Sequence, residues 1–207
     1  MATTLEVVNQ CLAVMGEAPL NTLAEDHAYK QSALNILERN DKQIQSEGWW
    51  FNTEYLELSP NPTDSRIYLP NDTATIRPIC DRPDIVQRGR ILYDTSKGTD
   101  KFVAGTVIRL NLIRRVAFEL VPSSVNDYIT RKTVLDFQND YDGDSTKTRD
   151  LWREVYGTPA NANTQESMGL RGIAKSEHIR YTKVNFIQQS SRLHRITNRI
   201  DYSRRPY

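Results

Sequence analysis

The sequence predicts an α+β fold, a four-helix layer with an inserted antiparallel β domain and an extended C-terminal arm. Three observations carry that prediction. Apolar residues recur at helical spacing on both sides of a middle segment. That segment, from Trp49 to Val116, consists of short alternating runs broken by Pro60, Pro62, Pro70, Pro78 and Pro83. Residues 168–207 carry nine Lys or Arg against Glu177 and Asp201, a net +7, which leaves 18 basic and 24 acidic residues, or −6, in the rest.

Taken in order, Thr3 and Glu6 have capping-box spacing, and Leu5, Val8, Leu12 and Met15 follow at helical intervals up to Gly16. Gly16-Glu17-Ala18-Pro19 makes a turn, after which Leu20 and Leu23 cover the end of a helix pair. The second helix is expected from Asp26. Its apolar stripe is Ala33, Leu34, Ile36, Leu37 and Ile44, interrupted only by Asp41, while Arg39, Asn40, Lys42 and Gln43 face away. Gly48 supplies the left-handed residue that closes it, so residues 1–48 form a helical hairpin. Gly48, Trp49, Trp50 and Phe51 make a structural corner: aromatics favour a pleated surface, so the three rings are expected in a strand, pinning helices to sheet from both its sides.

The inserted β domain spans 49–116. Strand candidates are Tyr55–Leu58, Arg66–Leu69, Thr75–Arg77, Ile85–Gln87, Arg90–Tyr93 and Thr106–Ile113, with a hairpin around Arg88-Gly89. So many prolines favour edge strands and corners over a broad central sheet. A second helical pair, 117–167, completes the bundle. One helix runs from Pro122 at its first position to Asn139, with Val125, Tyr128, Ile129 and Lys132 on one side. Another is capped by Thr146 or Thr148 and carries Leu151, Trp152, Val155 and Tyr156 before Gly157, and Thr158-Pro159 restarts a short helical piece. Neither pair buries its stripe alone, so the two pack together.

The basic C-terminal arm, 168–207, has no sustained period, although a strand is expected over His178–Gln188. Leu193, Ile196 and Ile200 are spaced like a helix face beside Arg192, Arg195 and Arg199, and Tyr202, Arg204, Arg205 and Tyr207 follow. These ten residues are the candidate partner-binding set. The arm is expected to take its structure from what it grips and to be mobile in the isolated subunit. The chain as a whole is 38% hydrophobic with a mean hydropathy of −0.61, below the apolar share usual for a self-contained globule, which also points to completion by partners.

Catalytic and metal chemistry find little support. His27, His178 and His194 share no ligand spacing with one another or with Cys11 and Cys80, which read as reduced thiols. Asp140-x-Asp142-Gly143-Asp144 resembles a calcium loop, but Leu151 stands where the bidentate Glu belongs. There is no nucleophile elbow, phosphate loop or dinucleotide fingerprint, so no cofactor and no catalytic residue is expected. Neither a leader peptide nor a membrane span is expected. The acidic pairs Glu25/Asp26 and Glu54/Glu57 leave glycoside hydrolysis, as by a peptidoglycan hydrolase, as one alternative, and the basic arm leaves a DNA-binding module as another.

Several stretches resemble one family. Leu5-x-x-Val8-Asn9-x-x-Leu12 with Gly16-Glu17-x-Pro19-Leu20-x-x-Leu23 is similar to the opening of the tail tubular protein A family, the head-to-tail adaptors of T7-like short-tailed phages. Ile36-Leu37 and Ile44-Gln45-Ser46-x-Gly48-Trp49-x-Phe51-Asn52 resemble its central signature, the most specific match. Ile67-x-Leu69-Pro70-x-Asp72 and Gly89-x-x-Leu92-Tyr93-Asp94, with Asp100 and Phe102, resemble its β region. The resemblance implies a virion protein of the tail, assembled in the host cytoplasm as a dodecameric ring under the portal. It also implies a tail nozzle (tubular protein B) below, tail fibres attached near that junction, and a channel through which genome DNA passes without sequence-specific binding.

Overall fold

The computed structural model describes residues 1–78, 84–158 and 167–182. Cys80 and all ten partner-binding positions from Arg192 to Tyr207 lie outside the described residues, as does Pro159. Helices α1 (Thr4–Val14) and α2 (Lys30–Gln45) open the fold; α3 (Ser123–Tyr141) and α4 (Ser145–Tyr156) follow the sheets. Helix α3 is the central one, touching α1, α2 and α4. Val8, Leu12, Ile36, Leu37, Ile129 and Phe137 lie in the one apolar cluster these helices share, as expected of two pairs that need each other.

Local chemistry sets the helix ends. Thr3 and Glu6 form the capping box, Glu6 accepting from the Thr3 N–H at 2.7 Å and Thr3 from the Glu6 N–H at 3.3 Å. Helix α2 starts at Lys30 instead of Asp26. Upstream side chains hold the chain in turns instead: Glu25 accepts from the N–H groups of Asn21 and Thr22 at 3.1 and 3.2 Å, and His27 Nδ1 from that of Tyr29 at 3.2 Å. Pro122 sits at the cap position one residue before α3. Helix α4 is capped by Asp144, whose carboxylate accepts from Thr146 and Lys147 N–H, and not by Thr146 or Thr148. Asn40 is buried and its amide reaches Thr133 on α3 at 3.4 Å, so it does not face away.

The middle segment forms a three-stranded antiparallel sheet, order β1 (Thr53–Leu58), β5 (Ile108–Arg114), β2 (Thr73–Pro78), and a hairpin of β3 (Ile85–Arg88) and β4 (Ile91–Asp94). Gly89, at φ 60, takes the positive-φ place in the hairpin turn. Among the described residues β1 and β2 are the outer strands of this sheet, and β2 ends at Pro78, which has no N–H to donate. Arg66–Leu69 is not a strand; it makes a single bridge, Tyr68 to Ile91, between Ser65 at φ 62 and Pro70. Ile67, Leu69, Ile85, Leu92, Phe102 and Leu110 bury themselves in a second apolar cluster. The segment begins and ends side by side, Arg114 N–H donating to the Asn52 carbonyl at 2.8 Å.

After α4, Thr158 does not restart a helix. It pairs in the two-residue strand β6 (Gly157–Thr158) with β7 (Ser167–Met168), and residues 170–182 then form a helix, α5, where a strand was expected from His178. Ala174 is fully buried and His178 and Tyr181 lie on the same side, an i, i+4, i+7 stripe. The near end of the expected arm is therefore packed onto the body.

Candidate functional site

The corner after α2 is built by hydrogen bonds. Gly48, at φ 75, follows the helix in the left-handed conformation, and a Cβ there would lie 2.6 Å from the tip of the Ile113 side chain, so the turn after α2 packs on the central strand's side chains. The Trp49 side chain is 2% exposed and its indole N–H donates to the Ile44 carbonyl at 2.7 Å. Asn52 holds the turn: its Oδ1 accepts from Trp49 N–H at 2.8 Å, and its amide donates to the carbonyls of Gln45 and Arg114 at 3.0 and 2.9 Å. Strand β1 begins only after this lock, at Thr53. Trp49, Trp50 and Phe51 therefore lie in a turn, and all three pack with the helical cluster instead of flanking a strand on both sides.

Helix α5 docks on the same corner. Tyr181 stacks on Trp50, the Trp49 and His178 rings meet edge to face at 5.6 Å, and Lys175 lies 3.6 Å from the Glu47 carboxylate. His178 Nδ1 is buried without a hydrogen-bond partner. Burial draws the His178 pKa below its ordinary value, and the positive charges of Arg77 and Lys175 add to the effect.

Between helices and sheet lies a groove of about 510 Å³, floored by Leu34, Leu37 and Phe118 and walled by Glu38, Asp41, Asp72 and Arg115. Gln45 knits its inner end: Nε2 donates to Asp41 Oδ1 at 2.6 Å and to the Val116 carbonyl at 2.8 Å, while Oε1 accepts from Val116 N–H at 2.8 Å. Arg115 approaches Asp41 at 3.2 Å and Glu38 at 3.5 Å. Burial pushes the Asp41 carboxyl above its ordinary pKa, against the opposing pull of Gln45 and Arg115. Arg114 holds both carboxylate oxygens of Asp72 at 2.7 Å and Glu54 at 2.8 Å, keeping the Asp72 carboxyl below its usual range.

Sequence reasoning missed Gln45, Asn52 and Arg115 as organising residues. The signal was present for one: Asp41 and Gln45, at i and i+4, both fall on the apolar side of α2, and polar pairs on such a face need a partner. Also exposed are Leu120 at 71%, Trp152 at 47% and Met168 at 64%, apolar surface available for contacts. Among the described residues no cluster of His, Cys, Asp or Glu is arranged for a metal ion, and no helix is long and apolar enough to cross a membrane.

A buried corner and a set of polar locks thus join the two apolar cores of the described residues. Residues 5–154 match the family model of tail tubular proteins, and the chain belongs to that family. It is a structural component of the phage tail. Among its relatives is tail tubular protein A of Klebsiella phage KP34, 25% identical over 191 residues, an overlap covering 91% of this chain and 96% of the relative.

Proposed function

We propose that this chain is the head-to-tail adaptor of the virion, closing with copies of itself into a dodecameric ring between portal and tail nozzle. The ring carries the channel for genome ejection and supports tail-fibre attachment at its rim. Its work is mechanical, and no cofactor takes part. The observation that carries this reading is membership of the tail tubular family across residues 5–154. Three features support it: among the described residues β1 and β2 are the outer strands of their sheet, apolar side chains such as Leu120 and Trp152 stand exposed, and the sequence after α5 is basic.

In this reading the subunit has four parts: the hairpin 1–48, the β insertion 49–116, the second pair 117–167, and the arm 168–207. The arm's distal residues, from Arg192 to Tyr207, grip the portal or a neighbouring subunit. Because Ala174 and Tyr181 pack on the body, an informative truncation removes the chain after Thr182. Mass photometry and electron micrographs of the full chain, alone and mixed with portal, provide the test. Rings seated on portal are expected from the full chain and lost on truncation. A full-length protein that forms no ring and does not bind portal would reject the adaptor role, and a truncated one that docks with full affinity would reject the role of the arm.

A further inference from the structure

Helix α4 turns a stripe of large side chains outward. Leu151 and Val155 are buried in the helical core, while Arg149, Trp152, Arg153 and Tyr156, at i, i+3, i+4 and i+7, fall together on the side away from them. The exposed Trp152 ring meets that of Tyr156 at 5.1 Å. The Arg171 guanidinium of α5 lies 5.9 Å from the Tyr156 ring, and its buried Nε has no hydrogen-bond partner. Arg149 and Arg153 share one carboxylate, Asp150, at 4.0 and 3.4 Å, and Glu154 turns instead to Arg131 on α3. Three guanidinium groups therefore stand beside two aromatic rings with one acid between them. Tryptophan, tyrosine and arginine are the side chains that most often dominate binding energy at protein interfaces.

The groove between helices and sheet offers the complementary surface. Its floor is apolar, made by the buried Leu37 and Phe118. Its lining holds three carboxylates, Glu38, Asp41 and Asp72, and one guanidinium, Arg115. Asp72 is paired with Arg114, and Arg115 divides itself between Asp41 at 3.2 Å and Glu38 at 3.5 Å. One carboxylate charge is thus left over, and Glu38, with its side chain 69% exposed, presents it to an incoming group. A volume of about 510 Å³ admits one large aromatic side chain. Within one subunit the two surfaces cannot meet, because α2 and α4 both pack on α3 and the α4 stripe faces away from that core. A second copy of the chain brings them together.

We infer that Trp152 of one subunit enters the groove of the next, its ring on the Leu37–Phe118 floor and Arg149 against Glu38. The inference rests on the ring reading and names the two surfaces that close the ring. Stripe and groove are different patches, so the contact is head-to-tail, and repeated about an axis it leaves no groove empty. Once Arg149 takes Glu38, Arg115 is left to Asp41 alone.

Three measurements on the full chain test it, with circular dichroism to check that each variant is folded. By mass photometry, Trp152→Ala should associate about thirtyfold more weakly than the parent, the loss expected at an interface hot spot. Glu38→Arg should weaken association about tenfold by setting like charges together, and adding Arg149→Glu to it should restore assembly. Finally, Glu38→Cys and Arg149→Cys proteins are mixed and treated with a short bismaleimide. Each carries one introduced thiol, so a link from position 38 to position 149, identified by peptide mapping, joins two chains. Trp152→Ala that associates as tightly as the parent, a double variant no better than Glu38→Arg, or a mixture without the 38–149 link overturns the inference. If the parent forms rings all the same, the subunits close through other surfaces and the adaptor reading stands; a parent that stays monomeric overturns both.

Discussion

Tyr181 lies stacked on Trp50, ring centroids 5.2 Å apart and planes 13° from parallel. The contact joins the end of α5 to the turn that follows α2, two places far apart in the chain. Trp50 is itself braced by Phe51, edge to face at 5.4 Å. The stack should contribute about 1 kcal/mol beyond the area it buries.

Trp50→Ala and Tyr181→Ala should therefore loosen α5 without unfolding the body. Hydrogen exchange over residues 170–182 should speed up in either variant while α1–α4 keep their protection. Trp49→Ala should behave differently: its ring is in the core and its indole N–H is satisfied by Ile44, so about 3–5 kcal/mol of global stability should be lost. A Trp49→Ala protein that melts normally would show that the corner is not core.

Docking of α5 should also weaken in acid. The His178 ring is held neutral by burial and by the charges of Arg77 and Lys175, the latter paired with Glu47, so its folded pKa lies below 6.5. The docked helix binds fewer protons than the released one in the window below that value, and stability falls with pH there. Protection of 170–182 should be full above pH 6.5 and decline as pH drops through it. His178→Phe keeps an aromatic ring against Trp49 and should remove this dependence; an unchanged pH profile in that variant would assign the effect elsewhere.

What the sequence revealed and what it hid follow one physical division. The capping box at Thr3, the stop at Gly48 and the Gly89 hairpin are local, decided by side chains within a few residues, and they stand where expected. The misplacements came from long-range partners. Asn40 turns inward because Thr133 on α3 meets it, and Trp50 and Phe51 join the helical side because Asn52 bonds across to Arg114 and delays the strand. Helix α5 escaped notice because its docking stripe is a buried Ala174, a half-buried His178 and an exposed Tyr181, not a run of aliphatics, and its binding surface is made by distant tryptophans.

Asp41 should make stability depend on pH in the opposite sense to His178. Its carboxyl titrates above 3.8 in the fold, so the folded state holds the proton longer and stability declines as pH rises through the window that starts there. Asp41→Asn keeps an oxygen that can accept from Gln45 and should flatten this slope in chemical denaturation. Arg115→Ala leaves the Asp41 charge supported by Gln45 alone. Because the Arg115 side chain is 40% exposed, the cost should be moderate, about 1–2 kcal/mol at neutral pH. A steeper pH slope in Asp41→Asn than in the parent would refute the assignment.

Two glycines with similar φ should respond very differently to alanine. At Gly89, φ 60, an added Cβ meets nothing within 4 Å, so Gly89→Ala bears only the left-handed backbone cost, about 1–2 kcal/mol. At Gly157, φ 84, the Cβ would lie 2.1 Å from the Ser167 carbonyl oxygen, which forces β6 and β7 apart. Gly157→Ala should thus raise exchange across 167–182 as well as lower the melting temperature, whereas Gly89→Ala should affect only the β3–β4 hairpin.

The last prediction concerns whether residues 49–116 behave as a unit inserted between the helical pairs. The two apolar clusters are separate: Leu92 packs with Ile67, Leu69, Ile85 and Leu110, and Leu12 with Val8, Ile36, Leu37 and Ile129. Both leucines are fully buried, and truncating either to alanine should cost about 2–5 kcal/mol. Contacts that cross between the clusters are few but stiff, chiefly Gly48 against Ile113 and the Asn52 amide on Gln45 and Arg114. If the β segment opens on its own, Leu92→Ala should lower protection across residues 53–114 and leave α1–α4 near the parent level, while Leu12→Ala should destabilise the helices. The β segment should then outlast them only as far as the corner holds. Asn52→Ala, which cuts the crossing bonds, should widen the gap between the two responses. Equal loss of protection in both regions for both leucine variants would mean one cooperative body, with the corner welding the clusters together and not hinging them.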